Sequence, residues 1–127
     1  MRTRVATQLD EAAALDVVRA DGETTGRQPS KATLASLRGV LRSPTTLALL
    51  AEDDGAVLGL LVAELRGREL HLSLLCVAPA HRRRGAGRAL VRALLDRYPH
   101  AVAATDEPGA LALLDRERAF RAGPDLV

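Results

Sequence analysis

The stretch Leu70-His71-Leu72-Ser73-Leu74-Leu75-Cys76-Val77-Ala78-Pro79-Ala80-His81-Arg82-Arg83-Arg84-Gly85-Ala86-Gly87-Arg88 decides how the rest of this chain is read. Leu70 to Val77 is an apolar run that stops just before a proline, a residue with no N–H to give to a strand ladder. A short basic turn follows, then two glycines one residue apart. From Ala86 to Tyr98 the apolar residues recur at helical spacing. Glycine lets a backbone turn tightly and brings its N–H groups close to a ligand. A helix that begins there aims its orphan N–H groups and the positive end of its dipole at any bound anion. Arg82, Arg83, Arg84 and Arg88 add guanidinium charge suited to phosphate oxygens. Strand, glycine turn and helix together make a candidate pyrophosphate cradle.

Working outward, Val5 to Thr7 predicts a short strand. Thr7 and Asp10 have the spacing of a capping box, opening a helix over Asp10 to Ala20. Asp21 to Pro29 is polar and carries two glycines and a proline, which predicts a loop. Ser30 is placed to cap a second helix with Leu34, Leu37, Val40 and Leu41 on one stripe, ended by Ser43-Pro44. Thr46 to Glu52 reads as a buried strand, Asp53-Asp54-Gly55 as a hairpin turn and Ala56 to Leu65 as the returning arm, with Gly67 turning the chain into Leu70 to Val77. Beyond Tyr98, Ala101 to Ala104 predicts a short strand. Thr105 or Asp106 caps a last helix, with Pro108 in its first turn, that reaches about Arg118. The order β-α-α-β-β-β-α-β-α is an antiparallel meander followed by a βαβ crossover. It predicts an α/β fold with a mixed, mostly antiparallel sheet and helices on both faces.

With 127 residues the chain is expected to form one domain, 1–127. Apolar residues make up 47% of it but aromatics only 2%, so the core must be built from Leu, Val and Ala. The net charge of +2 is small, and every basic residue except Lys31 is arginine; with the abundant Ala, this suggests a GC-rich bacterial genome. The lone Cys76 has no partner for an internal disulfide, which fits a reducing, cytoplasmic setting. No apolar segment of leader type follows Met1-Arg2-Thr3-Arg4, and the longest apolar run, Ala56 to Ala63, is far too short to span a bilayer. Neither a membrane nor a metal ion is expected as a partner.

The basic glycine turn admits other readings. A dinucleotide fingerprint needs a third Gly or Ala three positions on, where Leu90 stands, and it opens a first βαβ unit rather than following a fourth strand. A nucleic-acid patch would want stacking aromatics and a larger positive charge. A merely solvated basic turn has no use for two glycines at a strand-to-helix junction. No nucleic-acid partner is expected.

On these residues the chain resembles the GCN5-related N-acetyltransferase (GNAT) family. That family's signature is a Gln or Arg, two residues, Gly, one residue, then Gly or Ala, and Arg82-Arg83-Arg84-Gly85-Ala86-Gly87 meets it. Leu75-Cys76-Val77-Ala78-Pro79 is similar to the family's strand ending, Val5-Ala6-Thr7-Gln8-Leu9-Asp10 to its opening strand and helix start, and the element order matches nearly end to end. The resemblance implies acetyl-coenzyme A as co-substrate and a primary amine, on a small molecule or a peptide, as acceptor, with direct attack in a ternary complex. It implies that backbone N–H groups of Arg82, Arg83, Arg84, Gly85, Ala86, Gly87 and Arg88 hold the pyrophosphate. It also implies that the pantetheine arm pairs like an added strand with Leu75, Cys76 and Val77, where a backbone N–H polarises the thioester carbonyl.

An amine attacks a thioester only when deprotonated, so a proton acceptor is needed, and the departing thiolate can use a donor. By alternation along a strand, His71, Ser73, Leu75 and Val77 are predicted to share one face, with Cys76 on the other. In the family the residue six before the strand-end Val is often the general base, and in arylalkylamine acetyltransferases it and the residue two later are both His; here these positions are His71 and Ser73. An imidazole suits a base at neutral pH. Glu52 and Glu64, on the second and third strands, are further acid–base or amine-binding candidates. Cys76 reads as a buried small apolar residue rather than a nucleophile.

Two departures from the family pattern matter. The usual proton donor is a Tyr in the last helix just before a Gly-Phe; aligning Ala119-Phe120 with that pair puts Asp115 in its place, and Glu107 or Pro108 stands where the family commonly has Asn. An exposed carboxylate is ionised at neutral pH and cannot donate, so Asp115 serves as an acid only if buried. Otherwise the thiolate leaves unaided. The only Tyr, Tyr98, is expected at the far end of the third helix. After Ala119-Phe120 the family adds two strands, whereas only Arg121 to Val127 follow here, interrupted by Gly123-Pro124. The resemblance thus implies a C-terminally shortened sheet with an exposed edge, covered in a homodimer or left as a more open acceptor site. The alternative from another class is a non-catalytic acyl-coenzyme A binding domain, a sensor or degenerate paralogue.

Overall fold

In chain order the elements of the computed structural model are β1 (Arg2–Val5), a 3-10 turn (Gln8–Asp10), α1 (Glu11–Thr25), α2 (Lys31–Arg42), β2 (Thr46–Asp53), β3 (Ala56–Arg66), β4 (Glu69–Val77), α3 (Ala86–Arg97), β5 (Val102–Thr105) and α4 (Pro108–Ala122). The structure describes residues 1–25, 31–79, 85–99, 101–105 and 108–122. Asp54 and Gly55, with φ of 49° and 79°, supply the pair of left-handed conformations that a two-residue hairpin requires, and they fold β3 back onto β2. The sheet order is β1-β2-β3-β4-β5; the first four strands are antiparallel and β5 runs parallel to β4 through the α3 crossover. This is the α/β architecture and element order that the sequence predicts.

Two leucine-rich layers seal the sheet. On one face Leu47, Leu49, Leu58, Leu61, Leu70 and Leu72 pack against Leu90, Val91 and Leu94 of α3 and Leu114 of α4. On the other, Ala48, Leu50, Leu60, Val62 and Cys76 meet Ala14, Val17 and Val18 of α1 and Leu37 of α2. Burial of such side chains is worth about 1.5–3 kcal/mol each, so this core carries the fold without aromatic help.

Several boundaries differ from expectation: β5 is Val102–Thr105, with Thr105 in the strand rather than capping the last helix, α4 runs on to Ala122, and two shifts near the N-terminus have a visible cause. The first strand is Arg2–Val5 rather than Val5 to Thr7, because charge sets its register. Arg2 lies opposite Glu52, and the Arg4 guanidinium bonds Glu52 at 3.1 Å and Asp10 at 2.8 and 2.7 Å. Thr7 instead joins Asp10 in the capping box, as its spacing implies. The first helix continues through Thr25, into the segment whose polarity predicts a loop. A capped, packed helix extends through poor formers at a cost of only about 0.5–1 kcal/mol each. The remainder of that loop, with the predicted cap Ser30, lies outside the described residues, as does the chain beyond Ala122 on which the expected shortening turns. No helix among the described residues is long and apolar enough to cross a membrane.

Candidate active site

The site is built where β4 outruns its neighbour. β4 pairs with β5 only from Glu69–Val102 to Leu72–Thr105, and there Thr105 Oγ1 donates to the Leu72 carbonyl at 2.8 Å. β4 itself continues to Val77, in register with β3 as far as Gly59. The sheet therefore divides between β4 and β5 beside Ser73–Val77, next to the turn that leads into α3.

Gly85 is the N-cap of α3, with φ 81° and ψ 17°, and among the described residues no side chain caps the helix. The first intrahelical bond runs from Ala89 N–H to Gly85 O, so the N–H groups of Ala86, Gly87 and Arg88 precede any helical acceptor. Among the described residues a Cβ at Gly85 would meet nothing within 4 Å, so the positive φ rather than crowding calls for glycine there. Gly87 is a glycine for a different reason: a Cβ there would lie 3.1 Å from Leu113 Cδ1 and 3.8 Å from Val77 Cγ2. It lets α4 close against the end of β4. The two glycines of the signature thus divide their work between the turn and the packing. Arg88 is exposed on α3; Arg82, Arg83 and Arg84 lie outside the described residues.

The predicted common face of His71, Ser73, Leu75 and Val77 is not observed. Val62 pairs with Leu74 and Ala63 with Leu72, so Ser73 is an extra residue, a β-bulge that reverses the alternation. Leu75 and Val77 pack with Leu70 and Leu72 on the α3/α4 face. Leu74 and Cys76 belong to the α1/α2 face, and His71, flanked by Leu70 and Leu72, points to that same side. Cys76 therefore shares the His71 face rather than opposing it; at 4% exposure it is the buried small residue the sequence implies. Ser73 is exposed, and its hydroxyl donates to the Val62 carbonyl at 3.2 Å. His71 is half-buried and lies directly opposite Glu64 of β3.

The other ionisable candidates are held elsewhere. Asp115 is exposed on α4, so the burial that an acid role requires is absent. The buried acid of that helix is Glu117, 4% exposed, whose two oxygens lie 2.9 and 3.1 Å from Arg92 Nε of α3. Sequence reasoning missed this pair, which joins residues 25 positions apart. Glu52 is engaged by Arg4, away from the division of the sheet. The Arg4 guanidinium also holds the Asp10 carboxyl down at about 2, with further help from the Thr7 N–H and hydroxyl. Tyr98 caps the C-terminus of α3, at the end opposite Gly85, where it lines a cavity of about 180 Å³ with Leu95, Pro99, Ala101, Ala103 and Arg118.

Comparison with known proteins fits this geometry. The sequence profile of the acetyltransferase (GNAT) family matches residues 12–120. No curated protein sequence matches the chain. Among solved structures, an aminoglycoside acetyltransferase, meta-AAC0020, from an uncultured soil metagenomic sample in complex with sisomicin superimposes with TM-score 0.71 at 15% identity, covering 98% of this chain and 88% of that one. The ribosomal-protein-alanine N-acetyltransferase of Brucella melitensis biovar Abortus 2308 gives TM-score 0.71 at 16% identity, covering 94% and 92%. The PaiA N-acetyltransferase of Thermoplasma acidophilum in complex with coenzyme A gives 0.69 at 13%, covering 92% and 89%.

Proposed function

Because the chain belongs to the acetyltransferase (GNAT) family of enzymes, we propose that it moves an acetyl group from acetyl-coenzyme A to a primary amine on a small molecule or peptide. The observation that carries this reading is the division of the sheet beside Ser73–Val77, set against a helix N-terminus that no side chain of the described residues caps. A long acyl carrier with amide groups at one end and phosphates at the other suits such a groove. The residues fit it: the N–H groups of Ala86, Gly87 and Arg88 precede any helical acceptor, as an anion seat requires. The backbone of Leu75, Cys76 and Val77 would take the amide arm as an added strand. Acetyl-coenzyme A, when bound, supplies the activated acyl group.

His71 is the proton acceptor in this reading. The amine nitrogen bonds the acyl carbon, the carbon–sulfur bond breaks, and the proton lost by the amine passes to the imidazole. A β4 backbone N–H stabilises charge on the carbonyl oxygen, a contribution usually worth about 3–4 kcal/mol in acyl transfer. Asp115 is exposed and Ser73 gives its hydroxyl to Val62, so neither serves as donor. The thiolate leaves unaided, which a thiol pKa of ~8.5 permits, and takes its proton from water.

The test is a thermal shift with acetyl-coenzyme A followed by thiol release across a panel of amines. Stabilisation with amine-dependent thiol release is expected. Stabilisation without release from any amine would instead support the acyl-coenzyme A binding domain, and neither response would overturn both readings.

A further inference from the structure

We propose that Glu64 selects the acceptor, seating a positively charged alkylamine beside His71; this rests on the acetyl-transfer reading above. The argument begins with the register. Thr46 of β2, Glu64 of β3, His71 of β4 and Ala104 of β5 are successive partners across the sheet. Leu60 and Val62 precede Glu64 on the α1/α2 face, and Ala63 and Leu65 take the other face, so Glu64 points to the side that His71 occupies. Directly opposed residues of an antiparallel pair have Cβ atoms about 4.5–5.5 Å apart. Both residues are half-buried, beyond the apolar patch formed by Val62 and Leu74. The row also lies next to Leu72, where the β5 ladder closes and the sheet divides.

Charge on these strand positions favours a cation. Arg66, two residues beyond Glu64, donates to Glu64 Oε2 at 3.2 Å with a side chain 60% exposed. The residue opposite Arg66 is another carboxylate, the exposed Glu69, two positions before His71 on the same side. A second carboxylate thus stands across the ladder from Arg66, two positions from the proposed base. An exposed ion pair of this kind is weak, so an incoming ammonium can take the place of Arg66 at Glu64. The bound ammonium loses one proton to water to become the free amine, held next to the imidazole that takes the second proton as the amine attacks. A catalytic base alone would not need that second carboxylate; recognition of a charged acceptor does.

The experiment measures thiol release with cadaverine, 2-phenylethylamine and sisomicin, which are cationic at neutral pH, and with aniline, which is not. Glu64→Gln is expected to raise KM for the best cationic amine about fivefold, lower kcat by less, and leave KM for aniline within about twofold. Wild-type KM for that amine should rise with added salt, and Glu64→Gln should blunt the dependence. Arg66→Gln, which frees Glu64, should shift KM the opposite way; it reads the same contact independently if the Glu64 variant folds poorly. Thermal stabilisation by acetyl-coenzyme A should persist in both variants. Thiol release with KM unmoved in either variant would overturn the role of Glu64 and leave the acetyl-transfer reading standing. No thiol release from any amine with the wild type would overturn both.

Discussion

Glu69–Leu72 and Ser73–Val77 are halves of one strand with opposite surroundings. In the first half β4 is laddered to β3 and to β5, and Leu70 and Leu72 are fully buried. In the second half the β5 ladder has ended, and Leu74, Leu75 and Val77 are only half-buried. The bulge at Ser73 stands at the junction, with the Thr105 hydroxyl on the Leu72 carbonyl closing the first half. The difference teaches how a small leucine and alanine core can host chemistry. The sealed half fixes the strand in place, and the open half is where the proposed acetyl-coenzyme A arm would pair, beside a helix N-terminus.

Within the sealed half itself, packing and chemistry should fail in different ways at neighbouring residues. Leu72→Ala in the sealed half is expected to cost about 3 kcal/mol of stability, read by chemical denaturation. The thermal shift that acetyl-coenzyme A produces on the surviving folded protein should be retained. His71→Ala should lower turnover about a hundredfold and flatten the pH–rate profile, while changing stability by less than about 1 kcal/mol. A large loss of stability with turnover intact would reverse the assignment.

Asp10→Asn sharpens the contrast from the far edge of the sheet, where charges hold structure only. It should cost about 1–2 kcal/mol, through the Arg4 bridge and the capping box, with kcat unmoved. The folded-state pKa of Asp10, about 2, lies below its ordinary 3.8. The stabilisation is therefore complete above the ordinary value and is lost as pH falls from about 4 to 2. Wild-type melting temperature should drop through that window more steeply than that of the Asn variant. Gly85→Ala should cost about 1 kcal/mol of stability, for an alanine held at φ 81°. Isothermal titration should show weaker binding of acetyl-coenzyme A, because the cap that presents the α3 N-terminus is disturbed.

Much of this was legible in local chemistry. The Asp54-Gly55 hairpin, the Thr7–Asp10 box and the glycine start of α3 each depend on residues a few positions apart, and all three formed as read. The bulge was not legible. Alternation assumes an unbroken pleat, and nothing about Ser73 announces an extra residue; its place depends on how β3 and β4 align over their whole length. Hence alternation predicted one face for His71, Leu75 and Val77, whereas the bulge sets His71 on the other side from the two apolar residues. The Arg4–Glu52 and Arg92–Glu117 pairs join residues 48 and 25 apart, and no short-range pattern records them. Gly87 was read as an approach to ligand because the signature pairs it with Gly85, whereas its neighbour in space is Leu113 of a later helix.

Amide hydrogen exchange, with and without acetyl-coenzyme A, tests the central claim most directly. The account predicts new protection at Leu75–Val77 and at Ala86–Arg88, with Glu69–Leu72 slow in both states because its ladders are complete. Protection that appears elsewhere, or no change at Leu75–Val77 at saturating acetyl-coenzyme A, would contradict it.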